Sequence, residues 1–404
     1  MSKCGKFGTF LLVVLAGCST VPPQQPPTEV TVVPEQTAIV TASANFAPAS
    51  PIVTVPTPAP VAVPAPRIIP APAPVTPAAP TNQITDAWIA LDRWVQLNGF
   101  GTLRRLTADA NPTYSFATPN GTMSVKVGSQ LAYWNGLEYR LGFAPQLSNG
   151  RPYLHALDAN KNFEPLLNNK PSFQWSTNRV VVIDPGHGGT DNGTKSVFNG
   201  HFEKEFTLDW AYRLQAILAA KGFTALMTRA SDANLALSNR VAFAEKHKAD
   251  LFLSLHFNSS LPDHTQTGLE TYCLTPKGLP SNLTRGYSDN ANLSFPNNYY
   301  DRDNLQYAVR LHRSLLKVNG QIDRGVRRAR FLGVLQNQSR PAVLIEGGYL
   351  SNPQEARRIA DPAYRQKLAE AVAEALLESM DSNVHLASQS PAPPGGTQPA
   401  EKTN

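Results

Sequence analysis

Apolar and polar positions change their rhythm along this chain of 404 residues. From Ser19 to about Thr81 there is no period, only Pro, Ala, Val and Thr with almost no charge, which predicts an extended, disordered polyproline II tether. Between about 83 and 166 short alternating stretches follow: Thr122 to Val127, Gln130 to Trp134 and Glu138 to Leu141. Asn120-Gly121 and Asn135-Gly136 break them, and such pairs between alternating strands are hairpin signals. A small β-rich domain is expected there.

From about 173 to 381 apolar strands alternate with amphipathic helices, which predicts an α/β domain, a sheet with helices on both faces. Strands are expected at Val180 to Ile183, Phe223 to Thr228, Leu251 to Leu255, Leu269 to Leu274, Phe331 to Leu335 and Ala342 to Ile345. Phe206, Trp210, Leu214, Ile217 and Leu218 form one helical face that ends at Gly222. Further helices are expected near 236 to 247, 303 to 317 and 361 to 380, the last capped by Asp361-Pro362. The polar, Pro-rich stretch 382–404 reads as a disordered tail.

Composition sharpens two of these boundaries. Of 35 prolines, seventeen lie between Pro22 and Pro80, where the only charged residues are Glu29, Glu35 and Arg67, so that stretch cannot build a core. The formal charge of +6 is mild and its only dense basic cluster is Arg327, Arg328 and Arg330, which argues against nucleic acid as a partner. Lys3 and Lys6 precede an apolar run, Phe7 to Ala16, too short to span a bilayer and built like the core of an export signal over residues 1–17. Leu15-Ala16-Gly17-Cys18 resembles the lipobox of bacterial lipoproteins, and the resemblance implies a lipidated Cys18 that begins the tether over 18–81. Ser19 lacks the aspartate that commonly retains such proteins at the inner membrane, so the expectation is an outer-membrane anchor facing the periplasm. Cys4 leaves with the signal, so Cys273 is left without a disulfide partner and reads as a buried, inert thiol.

Three polar clusters stand where strands end: Asp184 to Gly189 with His187, Ser254 to Ser259 with His256, and Ile345 to Asn352 with Glu346. In open α/β sheets the carboxyl ends of strands share one edge, so these groups are expected to converge. Glu203, just before a helix, is a fourth member. Two imidazoles and one carboxylate suit a zinc ion with an open position for water, and a second carboxylate can take the proton of that water. Glu346 is the natural base. Other assignments remain open on these grounds: Glu203 as a helix N-terminal acid, His256 as a core histidine, His201 or His264 as replacement ligands. Asp184 reads as orienting the glycine turn, and Arg240 as a structural ion pair.

The strings VVVIDPGHGGTDNGT, EKEFTLDWAYRLQAILAAKGF, TRASDANLALSNRVAFAEKHKADLFLSLHFNSS, GLETYCL and RGVRRARFLGVLQNQSRPAVLIEGGYLSNPQE resemble, in order, the zinc-dependent N-acetylmuramoyl-L-alanine amidases of the bacterial cell wall. The resemblance implies that His187, Glu203 and His256 bind Zn2+, that Glu346 is catalytic, and that the substrate is peptidoglycan, cut between the lactyl group of N-acetylmuramic acid and L-alanine. Residues 83–166 resemble, through turn glycines and strand alternation, the β-rich stalk domain at the N-terminus of copper amine oxidases. Alternative readings are a lipid-anchored protein that grips peptidoglycan without cutting it, or a zinc endopeptidase of the stem peptide. Some relatives place an inhibitory helix where this chain has its loop from Thr275 to Asp301. Pro276, Pro280 and Pro296 interrupt that loop and it lacks glutamate, so it is expected to flank the groove rather than plug it, and the fragment 173–381 to work without an activator.

Overall fold

The computed structural model describes residues 87–167, 174–318 and 322–387. The export signal, Cys18, the tether and residues 388–404 lie outside the described residues. Among the described residues, no helix is long and apolar enough to cross a membrane.

The first region carries the strands β1 (Trp88–Ala90), β2 (Arg104–Arg105), β3 (Thr113–Thr118), β4 (Gly121–Lys126), β5 (Leu131–Trp134), β6 (Leu137–Arg140), β7 (Gln146–Ser148) and β8 (Arg151–His155), with helix α1 (Leu91–Leu97) after β1. Strands β2 to β6 form an antiparallel meander, and the β3–β4 and β5–β6 turns fall at the two Asn-Gly pairs. Phe116, Met123, Val125, Trp134 and Tyr139 point to one buried face, as strand alternation requires. His155 stacks on Phe143 at 3.8 Å and its Nδ1 accepts from the Leu157 N–H, so it packs and caps.

The second region adds β9 (Val180–Pro185), α2 (Glu203–Ala220), β10 (Thr224–Met227), α3 (Leu237–Lys246), β11 (Leu251–Asn258), β12 (Leu269–Cys273), α4 (Asp301–Lys317), β13 (Asp323–Arg328), α5 (Gly333–Gln336), β14 (Ala342–Tyr349), α6 (Pro353–Ala360) and α7 (Pro362–Ala387). Strands β10, β9, β11 and β14 run parallel, and β12 joins β14 antiparallel. Alternate strand residues face opposite layers, which is how the expected helices on both faces are realised. Val181, Ile183, Leu253 and Leu255 pack with Trp210, Leu214 and Leu218 of α2 and with Leu368, Val372 and Leu376 of α7. Val182, Phe252 and Leu344 pack instead with Ala244 of α3 and Val334 and Leu335 of α5. Each buried Val, Leu, Ile or Phe among them contributes roughly 1.5–3 kcal/mol of apolar burial. Helix α7 starts as the Asp-Pro signal requires, with Asp361 Oδ1 accepting from the Ala363 N–H at 2.9 Å. It continues to Ala387, past the expected end near 380.

One strand expectation fails. Phe331 and Leu332 are irregular and lead into the short α5, and the strand is Asp323–Arg328. Val326 is the only large apolar residue in that strand, so hydrophobic alternation could not reveal it. Its arginines are placed by partners instead: Arg324 and Arg327 reach Glu270, and Arg328 reaches the Leu274 carbonyl.

The two regions share one eleven-stranded sheet, in which β6 lies parallel to β13 with Tyr139 opposite Val326. Asp323 seals the junction: its Oδ2 accepts from the Glu138 N–H at 2.8 Å and its Oδ1 meets His312 Nε2 at 2.9 Å. Gly325, at φ +84°, lies so close that a Cβ would stand 2.9 Å from the Glu138 carbonyl oxygen. A fragment starting at 173 would leave β13 as an open edge.

Candidate metal centre

Strands β9 and β11 end side by side, and the turn after β9 carries His187 in the left-handed region at φ +61°. A non-glycine residue there is strained and persists only where its surroundings over-determine it. They do so here. Arg240, buried, donates to the carbonyls of Pro185 at 2.8 Å and His187 at 2.7 Å and pairs with Asp184 at 2.7 Å. Arg229, also buried, donates to the carbonyls of Pro185 and Gly186 at 3.0 and 2.8 Å. Asp184 takes two further bonds, from Thr228 and Ser254, so its carboxylate is consumed in holding the turn.

Glu203 opens α2 and is buried beneath the turn. Its Oε1 lies 3.1 Å from His187 Nε2 and 3.0 Å from His256 Nδ1, and accepts from the Phe257 N–H at 3.0 Å. Its Oε2 accepts from the Thr194 N–H at 3.0 Å. Burial opposes its ionisation, but the two imidazoles outweigh this and hold the carboxyl well below its ordinary range. Burial likewise works against protonation of His187, yet Glu203 and Asp191 push it up to about 9. One ligand atom from each of His187, Glu203 and His256 lies within 4.8 Å of the others.

This donor set fits a divalent cation of the zinc type: two imidazoles and a carboxylate around one point. The backbone is shaped to the cluster, for a Cβ on Gly193 would stand 2.6 Å from His187 Cδ2 and 2.7 Å from Glu203 Oε2. A cation needs neutral imidazoles, so binding would displace the proton the carboxylates hold on His187. Glu346, on β14, is in register with His256 on one side and Glu270 of β12 on the other. Its Oε2 is buried without a hydrogen-bond partner. Burial raises its carboxyl to about 7, with Glu203 and Glu270 adding to the rise and His256 and Arg285 opposing it.

The profile of the N-acetylmuramoyl-L-alanine amidase family matches residues 181–378. N-acetylmuramoyl-L-alanine amidase AmiA of Escherichia coli (strain K12) is 33% identical over 220 residues, which cover 49% of this chain and 75% of AmiA. The chain belongs to the N-acetylmuramoyl-L-alanine amidase family. LytC, an amidase of Bacillus subtilis (strain 168), is 31% identical over 48% of this chain and 34% of its own. The solved catalytic domain of CwlV from Bacillus (Paenibacillus) polymyxa var. colistinus is 30% identical, covering 50% of this chain and 99% of that one, with a TM-score of 0.42.

Within this amidase region the alternatives left open by sequence separate cleanly. His201 pairs with Glu205 at 2.6 Å on the exposed side of α2, and Glu205 also accepts from the Phe202 N–H, capping the helix. His264 Nδ1 meets the Ser351 carbonyl at 2.8 Å. None of the three enters the cluster. Cys273 is buried beside Arg328, and burial raises its thiol. Sequence reasoning missed Asp191, whose Oδ1 lies 2.9 Å from His187 Nδ1 and orients the ring. Its signal was its place four residues after His187 in the glycine turn. It also missed Lys204, which ties Asp232 and the Gly189 carbonyl together, each at 2.8 Å.

The loop from Thr275 to Asp301 holds a single 3-10 turn, Pro296–Tyr300, and no helix before it. Asp289 is taken up by Arg330 and Ser281, and Asp301 by Lys161 and Asn298. Neither is part of the histidine cluster.

Proposed function

We propose that this amidase hydrolyses the bond between N-acetylmuramic acid and L-alanine of peptidoglycan at a zinc ion held by His187, Glu203 and His256, with Glu346 as the proton-transferring group. A zinc ion bound there supplies Lewis acidity, polarising the amide carbonyl and making water a stronger acid. Asp191 keeps His187 in the tautomer that presents Nε2 to the cluster, and Glu203 adds the negative charge that favours a cation. Glu346 removes a proton from the attacking water and returns it to the leaving nitrogen as the C–N bond breaks, so the products are a lactyl carboxylate and a free amino terminus. The observation that carries this reading is the unpartnered Glu346 oxygen, buried in register with His256. A carboxyl near neutrality both accepts and donates a proton in one cycle.

The test is digestion of purified sacculi by the zinc-loaded full chain, with products read by mass. Intact stem peptides beginning with L-alanine are expected. Shortened peptides would move the cut into the stem, and no product would make the chain a binding protein. Glu346→Gln should keep the metal and the fold and lose about 10²- to 10⁴-fold in turnover. Activity within a few-fold of wild type would remove Glu346 from the mechanism.

The reading extends to the cell envelope. Cys18, in its lipobox, anchors the chain by lipid at the outer membrane facing the periplasm, and the loop from 275 to 301 leaves the site open without an activator. Cys18→Ser should release the protein into the soluble fraction. Membrane fractionation unchanged by that substitution would reject the anchor.

A further inference from the structure

The loop between β12 and α4 is firm at its base and exposed at its tip. Arg330 binds Asp289 and donates to the carbonyls of Pro276 and Leu279 at 3.1 and 2.8 Å, while the Ser281 N–H donates to Asp289 at 2.7 Å. Arg285 and Gly286 make the turn at the tip, both at positive φ. Phe331 supports the tip: Tyr287 stacks on its ring at 5.6 Å with 10° between planes, and the Arg285 guanidinium lies 5.6 Å from the same ring. Arg285 is thereby carried to the metal centre's rim. Its Nη2 stands 3.5 Å from Asn258 Oδ1, two residues beyond His256, and Asn258 is itself held by Glu270 at 2.9 Å.

Its charge is unspent. Three neighbouring arginines have carboxylate partners: Arg324 and Arg327 share Glu270, and Arg330 holds Asp289. Among the described residues, no carboxylate lies within ion-pair distance of Arg285, and its side chain is exposed. A planar guanidinium set over an aromatic ring keeps its forked donors available and suits bidentate capture of a carboxylate. Of the two arms that meet at the scissile amide, the peptide arm is the one that carries carboxylates.

We propose that Arg285 binds a carboxylate of the stem peptide and so seats the scissile amide beside Glu346. This rests on the amidase reading above and makes Arg285 a specificity residue at the peptide side of that site.

Two synthetic muramoyl peptides decide it, identical except that the residue after L-alanine carries a free carboxylate in one and its amide in the other. Wild-type protein should prefer the free carboxylate by about 10- to 100-fold in kcat/KM, mostly through KM, the range of a charge-assisted hydrogen bond. Arg285→Ala should erase the preference between the two peptides, and Arg285→Lys should keep part of it. Equal use of both peptides by wild type, or a preference that survives Arg285→Ala, overturns the proposal. Calorimetric binding of the same peptides to Glu346→Gln protein, with and without Arg285→Ala, gives the same contrast without turnover. Wild-type protein that leaves the muramoyl amide uncut would defeat the amidase reading, while the binding contrast would still judge Arg285.

Discussion

The two segments that flank the cluster of His187, Glu203 and His256 are built in opposite ways. The turn from Asp184 to Gly193 carries a strained histidine and is gripped from below by Arg229 and Arg240, both buried and spent on backbone carbonyls and Asp184. The loop from 275 to 301 is clamped by ion pair and hydrogen bonds at its base, and its tip rests on Phe331 with Arg285 and Tyr287 exposed, the latter 67% exposed. The difference follows from what each must do. Metal ligands have to stand at fixed distances before any substrate arrives, so the cost of the left-handed backbone is offset by charge-assisted bonds in a dry interior. A surface that meets a polymer needs free donors and room to adjust, which a fully satisfied network would deny it.

The sharpest way to break the first segment is to remove its ligands. His187→Ala or His256→Ala should abolish stoichiometric zinc and take hydrolysis to background, both read on one sample by metal analysis and product release. Full metal content in both variants would sink the ligand assignment. Next comes the grip beneath the turn. Arg240→Ala leaves Asp184 buried without its cation, and breaking such a pair should cost about 3–5 kcal/mol of stability in denaturant titration. Arg285→Ala, at the exposed tip, should change stability by less than about 0.5 kcal/mol. Equal losses at the two sites would erase the contrast. A smaller effect than outright ligand loss is expected at Asp191→Asn, which keeps the size of the side chain but removes the charge beside His187 Nδ1. Zinc affinity should fall by about 10- to 100-fold in a chelator competition, with the fold unchanged. Unaltered affinity would show that the turn alone orients the ring.

Much of this molecule is written locally. The period of α2, the Asp-Pro start of α7, the Asn-Gly hairpins and the apolar strands each follow from spacing within a dozen residues. The polar clusters at strand ends named His187, His256 and Glu346, because parallel strands must release their carboxyl ends on one edge. What local pattern leaves undecided is which of several similar groups meets which. Glu203 and Glu205 differ by two positions on one helix, and only the packing of α2 under β9 and β11 turns Glu203 toward the histidines and leaves Glu205 to cap the helix and hold His201. Strand β13 is hidden for the same reason: its arginines are held by partners, Glu270 of β12 and the Leu274 carbonyl just after it, that come from elsewhere in the chain. The union of the β-rich region with the catalytic sheet depends on Gly325 passing the Glu138 carbonyl, a contact between residues far apart in the chain. Sequence by itself determined the elements and the chemistry available at their ends, since those depend on neighbours along the backbone. Tertiary structure alone decided the pairings, because a charge is buried only where a partner from elsewhere in the chain arrives to meet it.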